Sequence, residues 1–419
     1  MSESVASDAA EASAAAFPFP VGPDRYPFPD GPMGRPSPEF ARRRKECPVS
    51  EVTLPLGDKV LLVVTHADIH AIMSDDRRFV RDLSKPGTPK LFPNMEVLED
   101  PTLVMNMDGE DHLRLRRIVN PTMTPRRVEG WRTELREIVD GVIDEIEAKG
   151  SPADLMTDYA NKLPVKFILR QFGLPDSDAD RLTRWVGTWV SVAEKEELTT
   201  VGAEYSAWVA QTVERSRSNP GTALVDVLVN AHDEGDRMSN AELESMIRSM
   251  VVAGLESIGN GISRALFTLL SEYECWEKLV ADRSVLRDSI EELLRVNLPG
   301  GGSVGILRMA AEDVELPSGT LVRKGQWVST PQVGAAQDPI AFPEPERFKP
   351  DRPKSTPAMV FGAGRHYCPA AHLAKAEIEI ALSALMDRFP KLHMTVRPEE
   401  LPWDHTHFNV GMPCLPVAW

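Results

Sequence analysis

The 419-residue chain has few cysteines, only Cys47, Cys275, Cys368 and Cys414, with no CxxC pair and no regular spacing. That excludes a disulfide scaffold and a cysteine-rich zinc site, and it predicts reduced thiols in a cytoplasmic setting. Apolar runs are short as well, and none approaches the roughly 20 residues that a bilayer-spanning helix needs. Met1 to Ala16 carries neither Lys nor Arg and no apolar core, so it lacks both halves of a signal peptide. No membrane association is expected. Basic residues are in deficit: 47 Lys and Arg against 63 Asp and Glu give a net charge of −16, which excludes non-specific nucleic-acid binding. Internal repeats are absent, and no glycine-rich loop stands between a strand and a helix to cradle a dinucleotide. A flavin or nicotinamide module within the chain is thereby excluded.

Proline is plentiful where it is least compatible with regular structure. Pro18, Pro20, Pro23, Pro27, Pro29, Pro32, Pro36 and Pro38 fall within Phe17–Pro38. This spacing forbids a helix or central strand and predicts an Ala/Pro-rich extension over residues 1–38, partly disordered, with order beginning near Glu39. Val52–Leu56 and Lys59–Val64 read as a hairpin about Gly57-Asp58, followed by a helix over Ala67–Met73. From about Asp111 to Asn297 the apolar spacing is helical, with amphipathic stretches at Trp131–Ala148, Asp178–Val192 and Ala203–Ser216. Short β pieces then follow at Val304–Met309, Val314–Leu316 and Trp327–Thr330. A last helix runs to about Phe389, before a closing β segment.

The most informative stretch is Phe361-Gly362-Ala363-Gly364-Arg365-His366-Tyr367-Cys368-Pro369-Ala370. A cysteine seven residues after a phenylalanine, with glycines between them and a helix beyond, describes a thiolate presented from a tight loop. Glycines let backbone amides approach the sulfur, and the helix start adds its dipole. An axial Cys thiolate pushes electron density onto a haem iron and favours O–O cleavage. The stretch resembles the haem-binding loop of the cytochrome P450 superfamily, with Ala370 where glycine is usual.

That resemblance implies a mainly α fold: one triangular, helix-rich domain with small β-sheets over residues 39–419. It implies heme b with Cys368 as the metal ligand, Phe361 and Gly362 as part of the loop, and O2 as co-substrate. Electrons would come from NAD(P)H through a ferredoxin and a ferredoxin reductase, the former docking on cations such as Arg114, Arg117, Arg365 and Lys375. His112 and Arg116, in an H-x-x-x-R pair, resemble the propionate partners, as do Arg308 and His366. Met250–Ser257 resembles the central helix over the distal haem face, with Ala253 and Gly254 opening a notch for O2. Glu256 and Ser257 would be its catalytic acid and hydroxyl, relaying protons, with serine where threonine is common. Glu292-Leu293-Leu294-Arg295 resembles the E-x-x-R pair, joined by Arg347 of Pro345-Glu346-Arg347-Phe348.

Within the superfamily, Ala253-Gly254 with Ser257, Glu291–Leu298, Leu321–Gly325 and Leu415–Trp419 resemble a bacterial group that oxidises cyclodipeptides, including an enzyme that couples the two rings of cyclodityrosine. The expectation is coupling or dimerisation, by a C–C or C–N bond, of a small aromatic cyclodipeptide containing Trp or Tyr. The alternative is hydroxylation or epoxidation of a macrolide or another secondary metabolite. Pocket walls are expected at Leu91–Met105, Trp185–Val192, Met250–Glu256, Pro299–Ile306 and His405–Val410.

Overall fold

The computed structural model describes residues 21–22, 24–81, 87–90, 100–191, 195–233, 238–298, 305–404 and 411–419. Expectations for residues 1–20, 91–99, 192–194, 299–304 and 405–410 lie outside this set. The helices are α1 (Pro38–Glu46), α2 (His66–Ser74), α3 (Gly109–Val119), α4 (Pro125–Lys149), α5 (Lys162–Phe172), α6 (Ala179–Trp189) and α7 (Lys195–Ser218). They continue with α8 (Leu224–Asp233), α9 (Asn240–Ser271), α10 (Tyr273–Ala281), α11 (Leu286–Val296), α12 (Gln332–Ala336) and α13 (Ala371–Arg388). The strands are β1 (Val49–Thr53), β2 (Lys59–Val63), β3 (Phe79–Val80), β4 (Ala153–Asp154) and β5 (Ile306–Ala310). After them come β6 (Val314–Glu315), β7 (Leu321–Val322), β8 (Trp327–Thr330), β9 (His393–Met394) and β10 (Pro416–Ala418). The helix-rich fold with small sheets is the one expected.

One five-stranded sheet runs in the order β1-β2-β8-β5-β3, with β4-β10-β9 and β6-β7 as smaller sheets. The predicted hairpin is β1 with β2, antiparallel, with Val52 opposite Val60, and Gly57 takes the positive φ that its turn demands. Antiparallel pairing of β5 with β8 sets Arg308 opposite Val328 and carries that arginine inward. The long helix α9 starts on a capping box: Ser239 Oγ accepts from the Glu242 amide while Glu242 accepts from the Ser239 amide. This reciprocal cap satisfies two of the donors that a helix start leaves open. Further along, α9 is buried on nearly every face from Ile258 to Leu270, which is what a helix through the centre of a core requires.

Order begins earlier than the prolines suggested. Tyr26 and Phe28 are buried, and their rings and that of Phe40 meet edge to face at 5.2 and 5.5 Å above Val52, Leu54, Val60 and Leu62. Backbone bonds exchanged between Thr53 and the 24–26 segment fasten this strap to the edge of β1. Proline ruled out helix there but not packing. Two buried aromatic rings, each worth about 1.5–3 kcal/mol, outweigh the weak local order of the segment.

A buried carboxyl joins two core helices. Glu377 of α13 is 4% exposed and accepts from Gln171 Nε2 of α5 at 2.7 Å. Burial raises its pKa to about 8 from the usual 4.5, against a smaller opposing pull from the Gln171 amide. Folding therefore retains a proton that the unfolded chain releases. The stabilisation is full below 4.5, declines across the interval and is gone once the pH has passed about 8. Glu377→Gln should flatten that decline in chemical-denaturation profiles between pH 5 and 9. Parallel profiles for the two proteins would show that the carboxyl does not titrate there.

Candidate functional site

The loop of residues 361–370 is held closed by its own backbone. Cys368 donates its amide to the Phe361 carbonyl at 2.9 Å, and Gly362 and Gly364 both sit at positive φ. Gly364 also passes so close to α2 that a Cβ there would meet the Met73 carbonyl oxygen at 2.6 Å. Helix α13 starts directly after this loop, with no side chain capping it at Ala370. The Ala370 amide at the helix start bonds the sulfur, while the Ala371 amide goes to the Cys368 carbonyl. Burial pushes the Cys368 thiol up, while the Ala370 amide and the Arg116 charge pull the other way. The other three cysteines lie outside this loop. Among the described residues no cluster of three His, Cys, Asp or Glu is arranged to hold a metal.

Beside the loop the fold gathers two arginines and two histidines. His112 and Arg116 lie on one face of α3, and the His112 ring rests on the His366 ring at 4.3 Å between centroids. Arg116 Nη2 donates to the Tyr367 carbonyl at 2.6 Å. Arg308, fully buried on β5, gives Nη1 to the Phe79 carbonyl at 3.1 Å. His366 Nε2 lies 2.9 Å from Asp108 Oδ1, one residue before α3 begins. Burial holds His112 down to about 4 and lowers His366 as well, although Asp108 opposes the second shift. The structure thus brings together all four residues expected to serve propionates. Arg116 Nε, Arg308 Nε and Arg308 Nη2 are buried with no partner among the described residues. Unanswered guanidinium donors inside a protein call for an anionic ligand, and the two carboxylates of a haem fit them.

The central helix, α9, is continuous through Ala253–Ser257. Ala253 is exposed although it sits mid-helix in a buried element, which marks an open face there. Gly254 has a packing reason: a Cβ would meet Ile168 Cδ1 of α5 at 2.7 Å. The helix shows no break at the position where a notch was expected. Glu256 and Ser257 are half-buried on the same stretch, and the Ser257 hydroxyl donates to the Ala253 carbonyl one turn back.

The structural network departs from expectation at one residue. Glu292 and Arg295 pair at 2.7 Å with both side chains buried, as expected. Their third partner is Arg352, whose Nε lies 2.7 Å from Glu292 Oε1. Arg347 is exposed and pairs with Glu344; only its backbone carbonyl reaches the network. Arg295 Nη1 also donates to the Ala336 and Pro345 carbonyls, both at 2.7 Å. The Lys349 amide also donates to Glu292 Oε1, at 3.2 Å, and the arginine that reaches Glu292 comes five residues later than the Pro-Glu-Arg-Phe run implied. The surface cations are less free than expected too. Arg114 is held by Glu242, Arg365 by Asp76 and Lys375 by Glu291, while Arg117 stays exposed.

The Cytochrome P450 family profile matches residues 203–416. The chain is 34% identical to nocardicin C N-oxygenase of Nocardia uniformis subsp. tsuyamanensis, over 91% of this chain and 95% of that protein. It is 34% identical to mycinamicin IV hydroxylase/epoxidase of Micromonospora griseorubida, over 89% and 92%. Among solved structures, cytochrome P450mel 107F1, described as having biaryl coupling reactivity, superposes with a TM-score of 0.82 at 32% identity, covering 91% of this chain and 96% of that one.

Proposed function

The chain belongs to the cytochrome P450 superfamily, and from that premise we propose that it tailors a small natural product by oxidative coupling of an aromatic cyclodipeptide. Cys368, in its loop with Phe361 and Gly362, would hold the haem iron. His112, Arg116, Arg308 and His366 would hold the propionates, and Ala253 and Gly254 would border the opposite face. When bound, the haem supplies O2 activation, with electrons from NAD(P)H delivered by a ferredoxin and its reductase.

The chain's own contribution on the distal side is proton supply and space. Glu256 and Ser257 are placed within one turn of the exposed Ala253, so an acid and a hydroxyl border the same open face. The Ser257 hydroxyl is parked on the Ala253 carbonyl and must rotate to pass a proton, and serine, unlike threonine, lacks the β-branch that restricts this rotation. The observation that carries the coupling reading is this stretch of small side chains, Ala253, Gly254 and Ser257. The similarity to a P450 with biaryl coupling reactivity supports the same reading. Hydroxylation or epoxidation of a macrolide is the second reading, supported by the similarity to the mycinamicin enzyme.

A Soret-shift screen of Tyr- and Trp-containing cyclodipeptides beside macrolides tests the substrate class. Coupling should yield a product lighter by two hydrogens, or a dimer, with no oxygen inserted. A product heavier by one oxygen supports the second reading. Glu256→Gln and Ser257→Ala should each lower coupled turnover about 10²-fold and raise peroxide release, while leaving the thiolate spectrum intact. Unchanged coupling in both variants would remove them from proton delivery. Ferredoxin-driven turnover should slow with rising salt, since attraction between an acidic donor and exposed cations such as Arg117 is screened.

A further inference from the structure

Two buried guanidiniums lie side by side, one just past β3 and one on β5, near two carboxylates that are both engaged elsewhere: Asp76 pairs with Arg365, and Asp108 is described below. Arg81 follows β3 directly and is 6% exposed, while Arg308 on β5 is fully buried. β3 and β5 pair antiparallel with Val80 opposite Met309, which brings residues 81 and 308 alongside each other. Their charges are close enough to repel, and burial together with that repulsion pulls Arg81 down to about 9. Asp108 is the acid that favours the Arg81 charge, but its oxygens are already committed. Oδ1 faces His366, and Oδ2 takes the backbone amide of Arg81. Arg81 Nε, like Arg308 Nε and Nη2, is buried without a partner among the described residues. A structural role does not account for this, because an uncompensated buried charge destabilises the fold that holds it. The excess positive charge instead matches a carboxylate arriving from outside the chain, and it borders the His112–His366 pair.

We propose that Arg81 grips a haem propionate alongside Arg308, with Asp108 as the positioning residue that fixes the Arg81 backbone and the His366 ring towards the same carboxylate. Arginine suits this task because its planar fork offers several donors that stay charged. No sequence motif marks Arg81, which lies far from the H-x-x-x-R pair and the cysteine loop. Its role becomes visible only when β3 is laid against β5.

The test uses the haem-loaded protein and reads cofactor retention and potential. Arg81→Met should release haem to excess apomyoglobin at least tenfold faster than the unaltered chain. Arg81→Lys, which keeps the charge, should restore most of the difference. The ferric/ferrous potential of Arg81→Met should move negative, because a cation near the iron is lost. Protein carrying haem dimethyl ester, whose propionates bear no charge, should release it equally fast with or without Arg81. Native haem leaving Arg81→Met no faster than the unaltered chain would overturn the proposal. So would a rate difference that persists with the ester, since that would make Arg81 a packing residue.

Discussion

Cys368→Ser is expected to abolish turnover and to erase the red-shifted carbon-monoxide band, leaving activity at background. The expectation rests on the loop geometry: the Cys368 amide is tied back to Phe361, and the residue meets the start of an uncapped helix. A hydroxyl in that place accepts the same amides but cannot donate charge to iron as a thiolate does. Serine at Cys47, Cys275 or Cys414 should leave the spectrum unchanged, because each lies outside the loop. A normal thiolate spectrum in Cys368→Ser would overturn the assignment of the iron ligand.

Arg352→Ala is the second large effect. Glu292 is buried and shared by Arg295 and Arg352, and Arg352 also donates to the Pro343 and Glu344 carbonyls. Removing one partner from such a network strands charge in the interior, at about 3–5 kcal/mol. The loop that hangs on it leads directly into the cysteine segment, so haem incorporation should fall with stability. Arg347→Ala should change stability by less than about 0.5 kcal/mol, as expected of an exposed position whose carbonyl is retained. Haem-to-protein absorbance ratios and chemical denaturation measure both effects. Equal losses in the two variants would return the network to the assignment read from the sequence.

The contrast between Arg347 and Arg352 shows where the sequence was legible and where it was not. The cysteine loop could be read because its chemistry is local: spacing, glycines and helix start lie within ten residues. Helices α4, α6 and α7 announced themselves by periodicity, and β8 was placed to the residue as a short β-rich run. A third partner for Glu292 depends on the path of an irregular loop, which neither periodicity nor spacing encodes. Arg81 was invisible for the same reason, since pairing of β3 with β5 creates its neighbourhood. Tyr26 and Phe28 were masked by their prolines, which report on local conformation and say nothing of burial.

The strap and the central helix meet at a place that constrains how this chain can vary. Arg264 of α9 donates to the Gly34 carbonyl and lies over the Trp403 ring, while a Cβ on Gly34 would fall 2.2 Å from that same indole. The indole occupies the volume that any side chain at position 34 would claim. Drift at the two positions is therefore locked together: a relative with a side chain at the first must carry something smaller than tryptophan at the second. Position 34 is thus tied to an indole at the far end of the chain, and a library that randomises Gly34 alone should return only glycine, whereas one that randomises Trp403 alone meets no such clash.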